Sequence, residues 1–134
     1  MGTRSLTHIK EKNNSQTIIT LYKQMDGYPN GWGRQLADFL DRHTITNGIP
    51  IKDNRKIANG VGCLIGQLIS EVKGTNAGGI YVYTPDAYDC GEEYEYHVEV
   101  CDMSGDINIK IYDTWEKKFI FKGTPLELLD KYKV

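Results

Sequence analysis

The stretch EYEYHVEVC at 93–101 alternates without a break. Tyr94, Tyr96, Val98 and Val100 fall on one side, and Glu95, His97, Glu99 and Cys101 on the other. Successive side chains of an extended chain point to opposite faces. A period of two with one apolar set therefore specifies a strand packed on one face and open on the other. Residues 107–112 (INIKIY) and 118–122 (KFIFK) carry the same signal, separated by turns at Ser104-Gly105-Asp106 and at 113–117. The C-terminal half is expected to be an antiparallel meander, joined by a short strand at 80–84 (IYVYT).

The N-terminal residues 3–10 and 16–24 are rich in β-formers around the turn cluster Asn13-Asn14-Ser15, which predicts a β-hairpin. With its centre near Asn14, Arg4 faces Gln24 and Leu6 faces Tyr22. Two helices are expected between hairpin and meander. Trp32, Leu36, Phe39, Leu40 and His43 share one face of the first, over 32–43. Residues 44–53 read as a loop. Ile57, Val61, Leu64, Ile65, Leu68, Ile69 and Val72 stripe the second, capped by Asp53 or Asn54 and ended before Gly74. Gly60, Gly62 and Gly66 lie within that second helix, where each costs about 1 kcal/mol relative to alanine. Their presence predicts close approach of another backbone, from this chain or from a second copy. Thr124-Pro125-Leu126-Glu127 forms a capping box with proline at the first helical position, so a short helix closes the sequence. The fold class is α+β: a mainly antiparallel sheet, made of the N-terminal hairpin and the C-terminal meander, with two central helices and a short C-terminal helix on one face.

The 134 residues fit one domain, 1–134. Sixteen basic against eighteen acidic side chains give a net charge of −2, which argues against binding long nucleic acid. No apolar run approaches the roughly 20 residues that span a bilayer, and the opening MGTRSLTHIKEK has no apolar signal core. Cys63, Cys90 and Cys101 are an odd set without paired spacing, expected to be reduced. These features predict a cytoplasmic protein without membrane association. Cys63 is expected in the core.

The loop between hairpin and first helix holds the densest set of candidate site residues. Gln24, Asp26, Gly27, Tyr28, Gly31, Trp32, Gly33 and Arg34 fall within one short turn, with Arg4 across the hairpin. Glycines admit positive φ and close approach, and a helix start offers free N–H groups suited to an anion. Arg34 and Arg4 are candidates for holding phosphate, and Tyr28 or Trp32 for stacking on a base. The alternative is a tight connection whose glycines relieve strain and whose aromatics pack on the core. The pattern matches neither a Walker loop nor GxGxxG.

Other constellations are weaker. Tyr81, Tyr83, Tyr94 and Tyr96 are candidates for an aromatic pocket or subunit interface, or for ordinary sheet packing. His8, His43 and His97 are scattered, and His97, Cys101 and Asp102 lack a zinc spacing. Glu92, Glu93, Glu95 and Glu99 could include a general acid, but read more simply as a solvated strand face. No triad, metal set or cofactor motif stands out.

The segments Met1-Gly2-Thr3-Arg4-Ser5-Leu6-Thr7, Tyr22-Lys23-Gln24-Met25-Asp26-Gly27-Tyr28-Pro29 and Gly31-Trp32-Gly33 resemble a family of small proteins of phages and bacteria with no assigned activity. The resemblance covers roughly the first third of the chain. Trp32 stands where members often have His or Gln. It implies a site at the turn and a phage-like context, not a reaction. The expected function is binding of a small phosphorylated or nucleotide-like ligand by a homo-oligomer, as in a sponge that sequesters a nucleotide-derived immune signal. One alternative is a small hydrolase of a phosphate ester or amide, with Asp26 as base and Arg4 or Arg34 stabilising charge. Another is a protein-binding inhibitor module.

Overall fold

The computed structural model describes residues 2–48 and 56–133, which form eight strands and three α-helices. Strands β1 (Ser5–Glu11) and β2 (Ile19–Lys23) form the expected hairpin, in the register that puts Leu6 opposite Tyr22. Strands β6 (Tyr94–Val100), β7 (Ile107–Asp113) and β8 (Lys118–Gly123) form the expected meander. With the edge strand β5 (Ile80–Tyr83) they make one six-stranded sheet in the order β5-β2-β1-β6-β7-β8. Hairpin and meander meet through a parallel β1–β6 pair that sets His8 beside His97. The architecture is α+β with a mixed, mainly antiparallel sheet.

Helix α1 (Arg34–Asp41) follows a π-helical turn at Pro29–Gly33. Helix α2 (Gly60–Lys73) starts later than the periodicity suggests. Ile57 fits the helical stripe but lies in β4 (Ile57–Asn59), which pairs in parallel with β3 (Thr44–Thr46), inside the segment expected to be a loop. The proposed caps Asp53 and Asn54 lie outside the described residues. The second amide of α2 is capped from a distance: Val61 N–H donates to Asp102 Oδ1 at 2.9 Å. Helix α3 (Pro125–Lys131) starts with the predicted capping box. Glu127 N–H donates to Thr124 Oγ1 at 3.2 Å, and Thr124 N–H to Glu127 Oε1 at 2.9 Å.

The core lies between one face of the sheet and the helices. Leu36, Phe39 and Leu40 of α1, Val61, Leu64, Ile65 and Leu68 of α2, and Leu128 of α3 pack with Tyr96, Val98, Val100, Ile107, Ile109 and Ile111. One expectation for α2 is overturned: Cys63 is exposed rather than buried. Among the described residues nothing lies within 4 Å of a Cβ placed on Gly62 or Gly66, so no described backbone of this chain packs against them.

Among the described residues the opposite face carries no helix. Strands β5 and β6 both run parallel to β1, so the chain must cross over between them. The 84–93 connection does so across the open face, where Pro85 meets Thr20 of β2, Tyr88 meets His8 of β1, Glu92 meets Glu95 of β6, and Gly91 and Glu92 meet Arg4 and Thr114 beside the strands.

Candidate functional site

The turn between β2 and α1 engages its polar groups within the chain. Gly27 N–H donates to Thr3 O at 2.9 Å, and Gly27 O accepts from the Tyr96 hydroxyl at 2.7 Å. Trp32 N–H donates to Asp26 O, and the N–H groups of Gly31 and Gly33 both donate to Tyr28 O. The Trp32 ring is 1% exposed and its Nε1–H donates to Thr7 Oγ1 at 2.8 Å, so it packs in the core instead of offering a stacking face. Arg34 Nη1 donates to Leu129 O at 3.2 Å and Tyr132 O at 2.8 Å, satisfying carbonyls at the end of α3. Gln24, Asp26 and Tyr28 are exposed. Arg4 does not join them. Its guanidinium lies over Gly91, within 2.6 Å of where a Cβ would sit, a passage that only glycine leaves open. The glycines serve close packing: a Cβ on Gly27 would meet Ser5 Cβ at 2.8 Å and Thr3 O at 2.9 Å. The two arginines expected to assist Asp26 in hydrolysis are thus engaged elsewhere.

The four candidate tyrosines do not share a surface either. Tyr81 and Tyr83 gather around Tyr22 on the open face, the latter pair stacked at 5.1 Å. Tyr96 is buried on the helix side.

The open face assembles a different set. Strand register places His8 opposite Thr20, beside His97, and His97 opposite Lys110. In the next row Lys10 lies beside Glu99, with an ion pair at 3.3 Å. On the other side Glu95 lies opposite Tyr112, which lies opposite Phe119. The His8 ring is 2% exposed and stacked between Tyr88 at 4.6 Å and His97 at 5.1 Å. Its Nδ1 lies 2.8 Å from Thr20 Oγ1, while Nε2 is buried without a hydrogen-bond partner among the described residues. Burial, with the charge of His97 second, lowers the His8 imidazole from 6.5 to about 4.

A carboxyl pair adjoins the histidines. Glu92 is 9% exposed, and burial raises its carboxyl above the usual range. Its neighbour Glu95 is held low, chiefly by a hydrogen bond from His97, Nε2 to Oε1 3.4 Å. Of the two, Glu92 is the carboxyl that keeps its proton to higher pH and Glu95 the one that ionises first. Cys90 N–H donates to Glu92 Oε1 at 2.7 Å, and burial raises the Cys90 thiol, which disfavours thiolate chemistry there.

A groove of about 210 Å³ opens beside the histidine pair, lined by His8, Lys10, Thr17, His97, Glu99, Lys110 and Phe119. It combines two ammonium groups, an aromatic wall and a buried imidazole. Among the described residues Lys110 has no ion-pair partner, and no group of three or more His, Cys, Asp or Glu is arranged to hold a metal. No helix among them is long and apolar enough to cross a membrane. The sequence does carry a trace of this site. Glu95, His97 and Glu99 alternate on the polar side of β6, but nothing local in the sequence brings His8 to them. Comparison of the chain with protein-family models, curated proteins and solved structures gives no match.

Proposed function

We propose that this protein binds a small anionic ligand, phosphorylated or nucleotide-like, in the groove on the open face of its sheet. The observation that carries this reading is the buried His8 ring, with one nitrogen lacking a partner, at the edge of a groove flanked by Lys10 and Lys110. An unpaired buried polar atom costs about 1–3 kcal/mol. Such a cost without a structural return is a mark of functional sites. The Lys110 ammonium suits a phosphate, with Lys10, paired with Glu99, beside it, and Phe119, 56% exposed, suits a flat ring. At about 210 Å³ the groove falls below the roughly 300 Å³ at which drug-sized pockets begin, so the ligand is small or only partly enclosed.

The role is sequestration rather than turnover, in the cytoplasm, where phosphorylated signals and reduced thiols occur together. Calorimetry against nucleoside monophosphates, cyclic dinucleotides and ADP-ribose derivatives tests it. We expect saturable binding by at least one of them, weakened about tenfold or more in Lys110→Ala. Silence across the panel from folded protein overturns it. A second reading, acid–base hydrolysis, draws on the Glu92–Glu95 pair, whose carboxyls are pushed in opposite directions. Chromatography of ligand recovered after incubation separates the two. Intact ligand supports sequestration, and turnover lost in Glu95→Gln supports hydrolysis.

A further inference from the structure

The hydrogen bonds around His8 determine which ring nitrogen carries the proton. The Thr20 hydroxyl donates to Pro85 O at 3.1 Å. A hydroxyl has one hydrogen, so Thr20 Oγ1 can only accept at its 2.8 Å contact with His8 Nδ1. Nδ1 therefore carries the ring proton. In the neutral imidazole Nε2 is then a bare acceptor, and Nε2 is the buried atom without a partner. The crossing connection that supplies Pro85 also supplies Tyr88, whose ring lies on His8. One segment thus sets the tautomer and covers the ring.

We propose that His8 Nε2 is the hydrogen-bond acceptor of the groove, and that the ligand carries a ring or amide N–H for it together with an anionic arm for Lys110. This rests on reading the open face as the ligand site. Nε2 exposes almost no surface, so a donor reaches it only where the side chains around the ring edge part. Tyr88, stacked on the ring, is itself 49% exposed. His97 lies in a strand paired on both sides, and its Nε2–H is directed to Glu95. The chemistry selects phosphorylated imide or lactam rings over rings that present only acceptors at the same position. A site built to pair a donor rejects the analogue that lacks it, because its own acceptor then stays buried and unpaired.

Two measurements on the unmodified protein test this. Long-range proton–nitrogen NMR at neutral pH reads the His8 tautomer. We expect Nδ1 at the position of a protonated ring nitrogen and Nε2 at that of a bare one. Titration with uridine monophosphate and with its N3-methyl analogue, which differ only in the ring N–H, then reads the donor requirement. We expect the methylated compound to bind about 10- to 100-fold more weakly, the ratio that follows from losing one buried hydrogen bond. A proton on Nε2 overturns the assignment of His8 as acceptor. A bare Nε2 with equal affinity for both compounds overturns the donor requirement but leaves the open-face site standing. Binding of neither compound, with the tautomer as expected, overturns the proposed ligand class. If the wider panel is also silent, the open-face reading falls too.

Discussion

The indole N–H of Trp32 donates to Thr7 Oγ1 at 2.8 Å, and both residues are 1% exposed. The bond ties the turn after β2 to the central strand β1, and it explains why an aromatic that looks suited to stacking on a ligand lies inside instead. Removing either partner leaves the other buried and unpaired, at about 1–3 kcal/mol. Trp32→Phe and Thr7→Val should each destabilise by at least that much. The double variant should lose less than the sum, because no orphaned group remains. Urea denaturation of the four proteins reads the coupling. Strict additivity would contradict the role given to this bond.

Gly62 and Gly66 lie in α2 with ordinary helical backbone and open space where a Cβ would stand. Alanine should therefore stabilise the chain by about 0.5–1 kcal/mol at each position. Gly27→Ala should do the opposite, because its Cβ would meet Ser5 and the Thr3 carbonyl. If α2 packs a second copy through this small-residue face, the alanines will instead destabilise the assembly. Thermal unfolding together with light scattering distinguishes the cases.

His8 gives stability a defined pH dependence. Its imidazole titrates at about 4 in the fold against 6.5 in the unfolded chain. Between these values the unfolded chain holds more protons, so stability rises with pH. The contribution is complete above 6.5, falls as the pH drops toward 4, and is flat below. At about 1.4 kcal/mol per unit, and allowing for screening from the solvent side of the groove, its size is about 2–3 kcal/mol. Glu11 and Glu95 are also held low and act in the same direction at more acid pH. The contribution is therefore read as the difference between the unmodified protein and His8→Phe at about pH 7.5 and about pH 5. An equal pH slope in both proteins would contradict it.

Local patterns carried most of the fold. The alternation at 93–101, the hairpin around Asn14 and the box at Thr124 and Glu127 each depend on neighbours in sequence, and each forms as expected. The β3–β4 pair did not announce itself, because Ile57 satisfies a helical stripe as well as a three-residue strand. The site was the least legible part. His8 reaches His97 only through a parallel pairing between distant strands, and Thr20 and Pro85 join them only because the crossover runs over the open face. In the 27–34 turn a Cβ on Gly27 would meet Ser5 and one on Gly31 the Asp26 carbonyl, a packing requirement. A sequence does not distinguish a glycine that admits a ligand from one that admits Ser5.

The central claim is the location of the ligand on the open face, and chemical-shift mapping tests it most directly. Isotope-labelled protein is titrated with the panel compound that binds in calorimetry, and backbone amides and histidine rings are followed. We expect saturable changes at His8, His97, Lys110 and Phe119, with residues 27–34 unmoved. Changes confined to 27–34 with the His8 and His97 rings silent, or no saturable change anywhere, would contradict the account.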